Sequence, residues 1–172
     1  MRSENVLLDR IYHPLHGSRV DYSIRNLDSM IKLWMLDLDP EYQRSHVWTR
    51  EQQSLFVGHL LSGGETTQLI INELPDQSTE IVDGKQRFTA CLQWVNNEFP
   101  ATTWNGETIW YKDLDHVSTT ILGNRITLPF LIVQLSGADI LKLYIRLNRG
   151  GTVHSDEEIA RVKALLDAEM RK

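Results

Sequence analysis

Few backbone arrangements satisfy the run Glu80-Ile81-Val82-Asp83-Gly84-Lys85-Gln86-Arg87. Its β-branched half suits a strand. Gly84 permits a sharp turn, and Phe88, Cys91, Leu92 and Val95 then mark the buried face of a helix that begins just after it. A strand that turns through glycine straight into a helix leaves backbone N–H groups at the helix mouth, where they and the helix dipole favour an anion. Gly84 lets a phosphate approach the backbone, Lys85 and Arg87 add charge, and the Arg87 guanidinium can bind two phosphate oxygens at once. Asp83 is suited to holding a magnesium ion, orienting water or binding a ribose hydroxyl, and equally to capping the helix.

The rest of the chain reads as alternating short helices and strands. Gln68 to Leu74 and Thr79 to Val82 are strands, and Pro75-Asp76-Gln77-Ser78 between them has the chemistry of a hairpin turn. Leu27, Met30, Ile31 and Trp34 predict a helix from about Asn26 to Leu36, ended by Asp37-Leu38-Asp39-Pro40. Thr49 and Gln52 have capping-box spacing, and the helix they open should stop at Gly63-Gly64. Asn105-Gly106, between Thr103-Trp104 and Thr108-Ile109-Trp110-Tyr111, is a strong signal for a tight hairpin. Ile126 to Val133 is an apolar strand. Ser136 with Asp139 opens a helix through about Leu147, and Ser155 with Glu158 opens a last one ending in Arg171-Lys172.

With 172 residues, 41% hydrophobic and 24% charged, the chain is sized for one domain, 1–172, in which residues 1–20 form an extended arm. Its single cysteine, Cys91, excludes an internal disulfide and fits a reducing cytoplasm. As neighbour of Phe88 on an apolar face, Cys91 is expected in the core rather than in redox chemistry. His13 and His16 flank Pro14 and lack further ligands for a closed zinc site. No run approaches the roughly 20 apolar residues that span a bilayer. A net charge of -5 argues against binding nucleic acid by bulk charge, although arginines gather beside Gly, Asn and Gln in local clusters.

Two further segments are rich in hydrogen-bond donors. Pro40-Glu41-Tyr42-Gln43-Arg44, followed by His46 and Val47-Trp48, combines an aromatic, an amide and an arginine; Arg146-Leu147-Asn148-Arg149-Gly150-Gly151 is a helix end followed by two glycines. Taken singly, each has an ordinary structural explanation: Tyr42 and Trp48 as core anchors, the glycines as a helix cap. Taken in order with Val82-Asp83-Gly84-Lys85-Gln86-Arg87 and Thr89, they resemble the signatures of the GmrSD N-terminal family, in the ParB/sulfiredoxin-like superfamily. The resemblance covers roughly Asp21 to Arg161.

That resemblance implies an α/β (α+β) fold, a compact ParB/sulfiredoxin-like domain with a small mixed sheet flanked by helices. It also implies binding of a nucleoside triphosphate with Mg2+ and, in several members, its hydrolysis, in relatives that are restriction proteins against modified phage DNA. Asp83, Gly84, Gln86 and Arg87 match the family's DGQQR motif, Gln43 and Arg44 the upstream motif and Asn148 the downstream one. The expected catalytic set is Asp83, Gln86 and Arg87, with Asp83 on the metal. Nucleotide binding is expected from Gln43, Arg44, Gly84, Lys85, Arg87 and Asn148. Lys85 departs from the family's first Gln, and Gly63-Gly64-Glu65-Thr66-Thr67 from a Gly-x-Pro-Ile-Pro-like stretch. The chain ends near Lys172, whereas the restriction proteins usually continue into an HNH-type nuclease domain; without a His-Asn-His constellation, DNA cutting by this chain alone is not expected. Alternatives of other classes are a phage or mobile-element module that binds nucleotide without turnover to modulate a defence-system protein, and a ParB-like DNA-binding domain.

Overall fold

The computed structural model describes residues 17–43, 48–148 and 156–171. In chain order the elements are β1 (Ser18–Ser23), a 3-10 turn (Ile24–Asn26), α1 (Leu27–Leu33), β2 (Leu36–Asp37), α2 (Arg50–Leu61), β3 (Leu69–Glu73) and β4 (Thr79–Asp83). There follow α3 (Lys85–Val95), β5 (Ala101–Thr102), β6 (Thr108–Ile109), α4 (His116–Arg125), β7 (Thr127–Val133), α5 (Gly137–Asn148) and α6 (Asp156–Glu169). Five strands form one sheet in the order β1-β7-β3-β4-β2. It is mixed: β3 runs parallel to β7 and β2 parallel to β4, while β1–β7 and β3–β4 are antiparallel.

Period-two alternation along the strands builds two cores. Leu69 and Ile71 of β3, Ile81 of β4, and Leu128 and Phe130 of β7 pack with Leu27, Met30, Val57, Phe88 and Trp94 of α1 to α3. Their sequence neighbours Ile70, Val82 and Val133 pack on the opposite side with Ile140, Leu141, Tyr144 and Val162 of α5 and α6. The sheet is thus sandwiched between helical layers, an α/β domain with a mixed sheet.

Local chemistry explains most boundaries. Thr49 and Gln52 form the complete reciprocal capping box at the start of α2, and Gly63 takes φ 87° just beyond its end. β3 and β4 form the expected hairpin, and Gly106, at φ 82°, turns β5 into β6. Cys91 is fully buried in the α1–α3 core.

Two expectations are corrected, both at helix ends. The helix predicted to reach Leu36 stops at Leu33; Met35 has φ 46°, and Leu36–Asp37 become a strand beside Thr79–Glu80. Thr79 drives the change, because its hydroxyl donates to Trp34 O and its N–H to Met35 O, carbonyls that the helix end leaves without partners. The last helix ends at Glu169 with no basic residue in its final turn. α4, which sequence periodicity did not announce, has no buried residue. Of the arm expected over residues 1–20, residues 1–16 lie outside the described residues, and β1 begins to pair with β7 at Ser18.

Candidate functional site

The turn between β4 and α3 is a built feature. The β3–β4 ladder runs from Ile70 opposite Asp83 to Ile71 opposite Ile81, a register shift that bulges β4 at Val82 immediately before the turn. Gly84 then adopts φ 93° as the N-cap residue of α3, and as glycine it offers the helix no capping side chain. The first intrahelical bond runs from Phe88 N–H to Gly84 O at 2.9 Å. A Cβ at Gly84 would lie 2.4 Å from Leu69 Cγ, so both the left-handed backbone and the packing of Leu69 require glycine here. The result is the positive end of an 11-residue helix that opens on a glycine.

Arg87 lies across this end. Its Nη2 donates to Asp83 Oδ2 at 3.0 Å, and its Nη1 donates to Thr66 Oγ1 at 3.2 Å and Thr67 Oγ1 at 2.5 Å, and also to Thr67 O. The guanidinium is largely buried, and that burial pulls its pKa down while the Asp83 carboxylate opposes the shift. Arginine stays protonated through such a shift. Asp83 keeps 40% of its side chain exposed. Lys85 points elsewhere: its side chain is only 7% exposed, and its ammonium is paired with Asp39, itself 81% exposed. Gln86 Oε1 accepts the Trp48 N–H at 3.0 Å.

The upstream segment is joined to the same strand. Gln43 Nε2 donates to Ile81 O at 2.9 Å and Val82 O at 2.8 Å, and its N–H closes a turn on Pro40 O. Tyr42 is buried edge-to-face on Tyr144 of α5, with ring centroids 5.2 Å apart. Its hydroxyl forms no well-aligned hydrogen bond among the described residues, and burial, reinforced by the charge and close approach of the Glu80 carboxylate, pushes the phenol far above its ordinary pKa. Arg161 of α6 donates to three successive backbone carbonyls, Glu41 O at 2.6 Å, Tyr42 O at 3.4 Å and Gln43 O at 3.0 Å.

Gln43, Asp83, Gly84, Lys85, Gln86 and Arg87 are therefore gathered around one strand end. Arg44, His46 and Arg149 to Gly151 lie outside the described residues, as does the side chain of Asn148, whose backbone ends α5. Outside them too are His13 and His16. Arg50 serves a different region: it meets Gln93 and Glu98 and lies 4.8 Å from the centre of the Phe99 ring. Sequence reasoning missed Asp39, Thr66, Thr67 and Arg161. In the sequence Asp39 reads only as part of a helix stop, and Thr66-Thr67 only as part of a departure from a motif. Arg161 carries no local signal, being an exposed residue of an amphipathic helix. Among the described residues, no group of three or more His, Cys, Asp and Glu could hold a metal ion, and no helix is long and apolar enough to cross a membrane.

The family described as GmrSD restriction endonuclease, N-terminal domain, matches residues 26–165. No curated protein matches the sequence. A solved structure of the C-terminally truncated chromosome-partitioning protein ParB from Caulobacter crescentus, complexed with CTP-gamma-S, is similar with a TM-score of 0.45 and 14% identity. That match covers 91% of this chain and 66% of the ParB chain.

Proposed function

The chain belongs to the GmrSD restriction endonuclease N-terminal domain family, and from that premise we propose that the turn at residues 83–87 binds the phosphates of a nucleoside triphosphate and promotes their hydrolysis. The observation that carries this reading is the glycine-started N-terminus of α3 with the Arg87 guanidinium fixed beside it. Backbone N–H groups and the helix dipole attract the phosphate oxygens, and Arg87 supplies a full charge whose position is already set by Asp83, the Thr66 and Thr67 hydroxyls and the Thr67 carbonyl. Lys85, whose ammonium is drawn to Asp39, holds the turn in place rather than touching the phosphates. Gln43, Arg44 and Asn148 would complete the nucleotide's surroundings from the upstream and downstream motifs.

Asp83 fits a magnesium ion that arrives with the triphosphate, since Mg2+ commonly uses one or two carboxylates together with phosphate oxygens and water. The ion would supply charge neutralisation on those oxygens. Hydrolysis then rests on orientation: Asp83, or the Gln86 carboxamide, holds a water in line with the terminal phosphate while Arg87 stabilises the charge that develops.

Binding without turnover is the second reading, favoured by the fact that both water-positioning candidates have other contacts: Asp83 with Arg87, and Gln86 with the Trp48 backbone. Calorimetry and phosphate release with each of the four ribonucleoside triphosphates and magnesium separate the two. Release above that of Arg87→Ala supports hydrolysis. Binding with release no greater than that of Arg87→Ala leaves the nucleotide-gated module, and absence of binding removes both readings.

A further inference from the structure

The strand registers bring several chain segments to one edge of the sheet: Asp83 lies beside Ile70, Leu69 beside Phe130, and Leu128 beside Tyr22. The end of β4, the starts of β3 and β7 and the end of β1 therefore share that edge. On it, between the end of α2 with its following loop and α4, opens a cleft of about 700 Å³. The size falls within the range of small-molecule sites.

One wall of the cleft is held rigidly from both sides. His59 Nε2 contacts Glu65 O at 3.1 Å and Gly64 N–H donates to His59 O at 2.9 Å, while Arg87 grips Thr66 and Thr67. Thr66 both lines the cleft and touches the arginine of the phosphate turn. The opposite wall presents Ile121, 45% exposed, together with Arg125. Asp21 also lines the cleft, and neither it nor Arg125 forms an ion pair with another described residue. An apolar branched side chain beside an acid, a base and a threonine hydroxyl offers an apolar face and a few polar partners, which is what a nucleoside presents in return.

We infer that this cleft receives the nucleoside portion of the ligand whose phosphates bind at residues 83–87, with Arg87 and Thr66 as the shared boundary. The inference rests on the nucleotide-binding reading above and adds the surface that distinguishes a nucleotide from a bare phosphate chain. Ile121 packs on the base, and Arg125 and Asp21 read its polar edge or the ribose hydroxyls.

Calorimetry on the full chain, with the four ribonucleoside triphosphates and inorganic tripolyphosphate as probes, tests it. Ile121→Glu and Arg125→Ala alter exposed side chains, and matching thermal midpoints would show that each folds normally. The expected result is a loss of about tenfold or more in affinity for the preferred nucleotide, with tripolyphosphate affinity changed by less than about twofold. Nucleotide affinity unchanged in both variants overturns the inference, as does a parallel loss of tripolyphosphate binding. So does a native chain that binds tripolyphosphate as tightly as any nucleotide, a result that leaves the phosphate turn standing. Failure of the native chain to bind either probe instead removes the phosphate turn and the cleft together.

Discussion

On the α1–α3 face of the sheet, Phe130 meets Trp34 and Phe88 edge-to-face, and Phe88, Phe130 and Trp94 are closed to solvent. On the α5–α6 face the core is smaller and polar groups cross it. Asn72, 1% exposed, accepts from Leu135 N–H at 2.8 Å and donates to Leu135 O and Glu80, and the Tyr42 hydroxyl is buried without a well-aligned partner among the described residues. The first face is closed by apolar contact, which is strong and indifferent to small changes in backbone direction. The second is organised by directional bonds, which are individually weak but fix where residues 40–43 run. Stability and placement of the upstream motif are thus drawn from opposite sides of one sheet.

The largest effect should come from the first face. Phe88→Ala should cost about 3–5 kcal/mol, measured by urea denaturation; a loss below about 1 kcal/mol would mean that this core does not carry the fold. At the junction of the two faces, Gly84→Ala should cost about 2–4 kcal/mol from the left-handed backbone and the collision with Leu69. Adding Leu69→Ala should recover the steric part. Independent, additive losses would show that Leu69 is not what forbids a side chain there.

Changes on the second face should be smaller. Arg161→Ala should lower stability by only about 1 kcal/mol, because its three carbonyl partners lie near solvent. Amide exchange within residues 41–43 should nevertheless accelerate; unchanged exchange would show that Arg161 does not hold the segment. Tyr42→Phe should be neutral or stabilising by less than about 1 kcal/mol at pH 7, since it deletes a buried hydroxyl without a well-aligned hydrogen bond among the described residues. Above about pH 10 the unfolded phenol ionises while the buried one keeps its proton, so the native chain should lose up to about 1.4 kcal/mol per pH unit there. Tyr42→Phe should lack this share of the alkaline loss; identical alkaline slopes would contradict the burial assigned to the phenol.

The contrast between the faces also explains what the sequence revealed. Thr49 with Gln52, Asn105-Gly106 and the Asp83-Gly84 turn are local devices, whose chemistry is complete within a few residues, and each produced the predicted element. Met35 and Leu36 left their predicted helix because a strand more than forty residues later offered them backbone partners. Lys85 could be read as a cation at a helix mouth, but nothing nearby announced that Asp39 would draw it inward. α4 buries no residue and so writes no periodic pattern. Arg161 acts on backbone carbonyls some 120 positions away, and carbonyls have no sequence signature.

β2 accompanies β4 only as far as Thr79 and Glu80. Beyond that point the strand would present bare carbonyls along an open side, a template on which another chain could add itself. The carboxamide of Gln43 occupies the two that follow, Ile81 O and Val82 O. A side chain thereby substitutes for the missing strand, and the same contact that draws the upstream segment to the turn makes the sheet end there. Gln43→Ala should consequently show itself as concentration-dependent self-association, visible as rising light scattering.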